Sequence, residues 1–164
     1  MRRRYTADDF RAAAALLRQA FPGCALTTDV ITGFPGETEE EFADTLAFCR
    51  QIGFARMHVF PYSARQGTPA AQMPGQVPRA VREERARRLI ALGNELAFSY
   101  RAAQVGSVVQ VLTEEVSDGV AHGYTAQYIP CAFPGGQPGR VDDVTVTGLT
   151  DEGLTGEKLN GTEK

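Results

Sequence analysis

Asp29 is the one carboxylate in the run Thr27-Thr28-Asp29-Val30-Ile31-Thr32, whose other side chains are small or β-branched. Such a run favours a strand, and a carboxylate inside one is costly to bury unless something meets it, so Asp29 either pairs within the fold or accepts hydrogen bonds from a ligand. Gly33 and Gly36 frame Phe34-Pro35 directly afterwards, ahead of Glu37-Thr38. That composition lets the backbone bend sharply at the carboxyl end of a strand, where open and barrel α/β folds hold ligands. About thirty residues on comes a second run, His58-Val59-Phe60-Pro61-Tyr62-Ser63, followed by Arg65. His58 reads either as a packed strand histidine or as a proton carrier. Tyr62 and Arg65 begin a long loop and are placed to line a cleft.

The elements that must position these residues are written around them. Thr38 with Glu41 three residues on is a capping box, and Phe42, Leu46, Cys49 and Ile52 recur at helical spacing until Gly53 ends the helix. Upstream, Thr6 with Asp9 opens an earlier helix whose inward face reads Phe10, Ala14, Leu17 and Phe21 before Pro22-Gly23. Strands are expected at about 26–33 and 55–60, giving the order α-β-α-β, which predicts parallel strands joined by right-handed crossovers. Two strands alone make no independent parallel sheet, so residues 1–77 are read as the end of a larger (βα) barrel. Its open edge invites self-association. Residues 61–77, rich in Pro, Gly, Ala and Gln, form a loop long enough to suggest a role.

Pro78 then suits the start of a long connecting helix, 78–103. Val81, Leu89, Leu92, Leu96 and Tyr100 share one side of it, while Glu83/Arg87 and Glu84/Arg88 are spaced as ion pairs. Arg82, Arg85, Arg87 and Arg88 read as a solvated face, with an RNA-facing role as the alternative. Beyond 103 the composition turns over. Residues 1–102 carry 14 basic and 11 acidic side chains, residues 103–164 only 3 and 9. Short β runs at 108–112, about 123–133, 141–149 and about 154–157, separated by Asp118-Gly119 and Gly135-Gly136-Gln137-Pro138-Gly139, predict a small closed all-β barrel over 104–158 of the OB-like kind that binds single-stranded nucleic acid. Residues 159–164 are read as a tail.

At 164 residues and 43% apolar content the chain is a folded protein of one or two domains. It has no run approaching the roughly 20 apolar residues of a membrane span and no signal-peptide core, so a cytoplasmic site is expected and a membrane partner is not. Cys24, Cys49 and Cys131 show no iron–sulfur or zinc spacing, and read as buried thiols.

Taken together, Asp29 to Thr38, then His58 to Ser63 with Arg65-x-Gly67-Thr68-Pro69-Ala70-Ala71, Met73-Pro74 and Gln76-Val77, resemble the carboxyl-terminal part of the radical S-adenosylmethionine methylthiotransferases. The branch most similar acts on threonylcarbamoyladenosine in tRNA. Met1 to Thr6 looks like the segment before a late barrel helix. Gly123-Tyr124-Thr125-x-x-Tyr128 looks like that branch's TRAM domain, although Gln127 stands where the family often has Asn.

The resemblance implies an intact parent with S-adenosylmethionine and two 4Fe-4S clusters as cofactors. It implies that the parent methylthiolates C2 of the modified adenosine next to the anticodon, at tRNA position 37. Asp29, Ile31, Gly33, Phe34, Glu37, His58, Phe60 and Tyr62 would then face the cosubstrate, and Arg65, Tyr124, Tyr128 and Arg140 the RNA. The partners implied are a tRNA anticodon stem-loop and the missing amino-terminal half. The family's CxxxCxxC motif does not occur here, so this piece by itself is expected to hold no cluster, bind no cofactor and catalyse nothing. Tyr124 and Tyr128 could stack bases or pack in the core, and the acidic balance of their segment predicts weak, accessory RNA contact. A freestanding RNA-binding module and the ribosomal-protein methylthiotransferase branch stand as the alternatives.

Overall fold

The structure is a computed structural model describing residues 4–159; the expected tail beyond Leu159, and Met1 to Arg3 of the first segment, lie outside the described residues. The chain divides into two compact units, Met1–Ala97 and Phe98–Lys164.

In the first unit, α1 (Ala7–Ala20) begins at a reciprocal cap: the Asp9 N–H donates to Thr6 Oγ1 at 3.2 Å, and the Thr6 N–H donates to Asp9 Oδ2 at 2.8 Å. β1 (Thr27–Thr32) follows, then α2 (Glu39–Ile52), which Thr38 and Glu41 cap in the same way. Gly53 ends α2 in the left-handed region, its N–H donating to Cys49 O at 2.9 Å. β2 (Arg56–Pro61) lies parallel to β1, in a register running from Thr27 opposite Arg56 to Thr32 opposite Pro61. A 3-10 turn at Pro69–Gln72 interrupts the loop before α3 (Arg79–Ala102).

The core gathers Ala14, Cys49, Ile52, Phe54, Leu89 and Leu92, with Val30, Met57 and Val59 of the strands and Phe10, Leu46 and Leu96 of the helices packed around it. Strand alternation therefore sends one face of the sheet into the helices. Two expectations fail here. Leu17 and Phe21 are exposed, Phe21 to 62%; helical spacing says which face is apolar, not whether anything covers it. Arg85 is 4% exposed rather than part of a solvated face, because Glu37 and Glu39 receive its guanidinium. Glu84 and Arg88 do approach, at 3.7 Å, but Glu83 is paired with Arg79 at 2.6 Å.

The second unit closes into a five-stranded barrel in the order β3-β4-β5-β7-β6, from β3 (Val108–Ser117), β4 (Val120–Thr125), β5 (Pro130–Pro134), β6 (Val141–Leu149) and β7 (Leu154–Lys158). All pairs are antiparallel except β5 with β7. Val111, Ala121, Ile129, Cys131, Phe133, Val144, Val146 and Leu154 fill the interior. Asp118 (φ 52°) and Gly119 (φ 78°) turn β3 into β4 with both residues left-handed, the geometry that matches strand twist in a two-residue hairpin. The stretch 123–133 is two strands rather than one run. Tyr128, at φ 59°, breaks it, and the Thr125 Oγ1 accepts the N–H groups of Gln127 and Ile129 across the break. Among the described residues, no helix is long and apolar enough to cross a membrane.

Candidate functional site

The face of the two-stranded sheet turned away from the helices is bare. Asp29 and Ile31 of β1 and Arg56, His58 and Phe60 of β2 are all exposed, Ile31 to 37% and Phe60 to 52%. Parallel register sets them in rungs, Thr27 with Arg56, Asp29 with His58, Ile31 with Phe60. Polar groups thus occupy the middle of the face and an apolar pair the carboxyl end. A flat apolar ligand portion could rest on Ile31 and Phe60, with a hydrogen-bonding portion over Asp29 and His58.

Beyond Ile31 and Phe60 the strand ends are tied together. The Tyr62 N–H donates to Thr32 O at 2.8 Å, Thr32 Oγ1 donates to Arg82 O at 3.1 Å, and Arg82 Nη1 donates to Tyr62 O. Gly33 is buried at φ +67°, and a Cβ there would collide with the Arg82 side chain. The Gly33 N–H donates to Glu37 Oε2 at 2.7 Å, and Arg85 Nη1 donates to the same oxygen at 2.7 Å. Glu37, expected to face a cosubstrate, is thus held inside the turn. Phe34 is half-buried, its ring edge-on to Tyr62 at 5.4 Å, and Tyr62 is buried. The Tyr62 hydroxyl and Arg82 Nε have no hydrogen-bond partner among the described residues. Arg65 is exposed at the head of the loop, where its carbonyl accepts from Thr68 Oγ1 at 2.8 Å.

On the barrel, Tyr124 is 41% and Tyr128 84% exposed, and Arg140 is exposed. Sequence reasoning missed their company. Pro130, Tyr124, Leu112 and Val141 stand opposite one another across β5, β4, β3 and β6, all exposed, making an apolar band across four strands. Alternation against the buried Val111 and Val144 was the signal that could have found Leu112. A cavity of about 460 Å³ beside the band is lined by Glu114, Glu115, Glu152, His122, Tyr124 and Cys131 among others. Three carboxylates there oppose a phosphate.

Burial pushes the Cys49 and Cys131 thiols up to about 11. Among the described residues no group of three or more His, Cys, Asp or Glu side chains could hold a metal ion. An iron–sulfur cluster needs thiolates brought together, and the described residues offer no such group.

Residues 102–159 match the TRAM domain family. The threonylcarbamoyladenosine tRNA methylthiotransferase MtaB of Bacillus subtilis is 45% identical over 140 residues, covering 82% of this chain and 31% of that protein. The chain is similar to methylthiotransferases over most of its length, and its residues 102–159 belong to the TRAM domain family. A tRNA-2-methylthio-N(6)-dimethylallyladenosine synthase of Moorella thermoacetica is 40% identical over 166 residues, 98% of this chain and 37% of that protein. An MtaB of Thermotoga maritima is 37% identical over 155 residues, 94% and 36%. The chain thus spans about a third of the length of the curated methylthiotransferases it matches. Relatives named for both modified adenosines are similar to it, so similarity does not divide them.

Proposed function

We propose that these residues are the cosubstrate-facing and RNA-contacting part of a radical S-adenosylmethionine tRNA methylthiotransferase, acting on C2 of N6-threonylcarbamoyladenosine beside the anticodon. The bare rungs Asp29–His58 and Ile31–Phe60 carry the proposal. A sheet covered on one face and naked on the other, in a parallel order that leaves β1 and β2 with no other strand among the described residues, is what a stretch of a larger (βα) barrel requires on its lumen side.

S-adenosylmethionine fits the chemistry on offer, and when bound it supplies the radical chemistry that the protein's own side chains lack. Ile31 and Phe60 would receive the base, Asp29 would accept from a ligand N–H or O–H, and His58 would donate or accept beside it. The orphaned Tyr62 hydroxyl at the strand end is a further polar group without a partner among the described residues. Cluster chemistry is assigned to residues outside this chain, and without them the chain is inactive. Tyr124 with the apolar band it belongs to, and Tyr128 beside them in the β4–β5 turn, would meet unpaired bases, with Arg140 as a phosphate contact in an otherwise acidic segment; the anticodon stem-loop is the partner, in the cytoplasm. Dimethylallyladenosine is the second reading, supported by the Moorella relative.

Titration of the isotopically labelled chain with S-adenosylmethionine, followed by amide NMR, tests the cosubstrate reading. Millimolar-range shifts at Ile31, Gly33 and Phe60 are expected; shifts confined to the barrel, or none, would refute it.

A further inference from the structure

We infer that Arg85 is a positioning residue: from α3 it aims the Glu37 carboxylate at the Gly33 N–H, and so fixes the strand-end turn against which the proposed nucleoside cosubstrate rests. The inference deepens the reading above and rests on it for the identity of the ligand.

The geometry is that of a latch. One oxygen, Glu37 Oε2, takes both the Gly33 N–H and Arg85 Nη1 at 2.7 Å. The same Arg85 nitrogen also donates to the Glu37 carbonyl at 3.0 Å, gripping that residue by side chain and backbone. The rest of the guanidinium reaches Glu39 Oε2, from Nη2 at 3.2 Å and Nε at 3.4 Å, and lies 5.4 Å from the Phe42 ring centre. Side-chain exposures of 5% for Arg85 and 14% for Glu37 keep water from substituting. The turn is closed a second time by the Glu37 N–H donating to Phe34 O at 2.9 Å.

Glu37 is accordingly spent on the turn. Without its oxygen the Gly33 N–H would be a buried donor with no acceptor, and the left-handed Gly33 would lose the bond that orients its peptide. Arg82, one turn earlier on α3, serves the neighbouring strand: its guanidinium meets the Tyr62 carbonyl while its aliphatic stem fills the space where a side chain at 33 would go. A planar fork with five donors can satisfy Glu37 twice and Glu39 at once, and a lysine cannot.

The charge swap Glu37→Arg with Arg85→Glu separates latch from simple ion pair, because it keeps opposite charges together but gives Gly33 no acceptor. Hydrogen exchange at the Gly33 amide is read in the full 164-residue chain, alongside the S-adenosylmethionine titration. Exchange should quicken about tenfold or more in the swap, and Arg85→Lys should quicken it less. Glu37→Gln, which retains an acceptor oxygen, should stay near the parent chain. Affinity for S-adenosylmethionine should fall in the same order. Unchanged Gly33 exchange in Arg85→Lys and in the swap would overturn the latch. Should the swap not fold, Arg85→Lys against Glu37→Gln decides alone, equal exchange in the two counting against it. If the parent chain shows no S-adenosylmethionine shifts while Gly33 exchange follows the predicted order, the latch stands and the cosubstrate reading falls. Shifts that persist unchanged in the variants overturn the positioning role while leaving that reading intact.

Discussion

The barrel and the parallel sheet solve the same problem to different degrees. Every barrel strand has two neighbours, and eight buried side chains fill the space between them. Among the described residues β1 and β2 have only each other, one face packed on helices and the other bare. Backbone and side chains on that bare face are satisfied by solvent or by something else, so the barrel owes its stability to its interior and the sheet owes its shape to α3. A region that leaves Ile31 and Phe60 uncovered is available for binding in a way that a closed barrel interior is not.

The largest effect should come from the closed side. Phe133→Ala, at 1% exposure, should cost about 3–5 kcal/mol, seen as a shift in urea midpoint by circular dichroism. Arg85→Met should cost about 3 kcal/mol in the first unit, because it strands a nearly buried Glu37, and thermal melting should register it without moving the barrel's own transition. Gly33→Ala should cost about 1–3 kcal/mol from the left-handed backbone and the Arg82 collision. On the bare face, Phe60→Ala should change stability by no more than about 0.5 kcal/mol while abolishing the S-adenosylmethionine shifts. Equal stability losses at Phe60 and Phe133 would erase the contrast.

Much of this difference could be read beforehand. Both capping boxes, the αL stop at Gly53 and the α-β-α-β order with parallel strands are local signals, and all appear. The closed barrel follows from short strands and left-handed turns. Burial was less legible. Arg85 lies four residues after Val81 and four before Leu89, on the very stripe that buries Leu89 and Leu92, yet its charge suggested solvent. Only the tertiary meeting of α3 with Glu37, 48 residues away, makes it a buried partner. Phe21 erred the other way, apolar at helical spacing and exposed for want of a cover. Register also had to be seen in three dimensions: nothing local puts Asp29 opposite His58, or Leu112 between Tyr124 and Val141.

Smaller effects sharpen the comparison further. Hydrogen bonding by Arg88 lowers the Glu39 pKa, with Arg85 adding to it. A depressed folded pKa contributes stability that is present above the unfolded value of 4.5 and is lost as pH falls through the lowered one. The first unit should therefore loosen slightly in acid, visible as broader α2 amide signals below the usual carboxylate range. Thiol labelling at pH 8 should be fastest at the half-buried Cys24, since burial holds Cys49 and Cys131 protonated with values of about 11.

Under the proposed function the bare sheet and the barrel belong to an enzyme that methylthiolates an adenosine beside the anticodon. Nucleoside mass spectrometry of total tRNA, from cells with and without the gene encoding this chain, tests it most directly. Loss of the 2-methylthio group from threonylcarbamoyladenosine is expected, with the unmethylthiolated nucleoside accumulating; unaltered levels of every 2-methylthioadenosine derivative would contradict the proposed function.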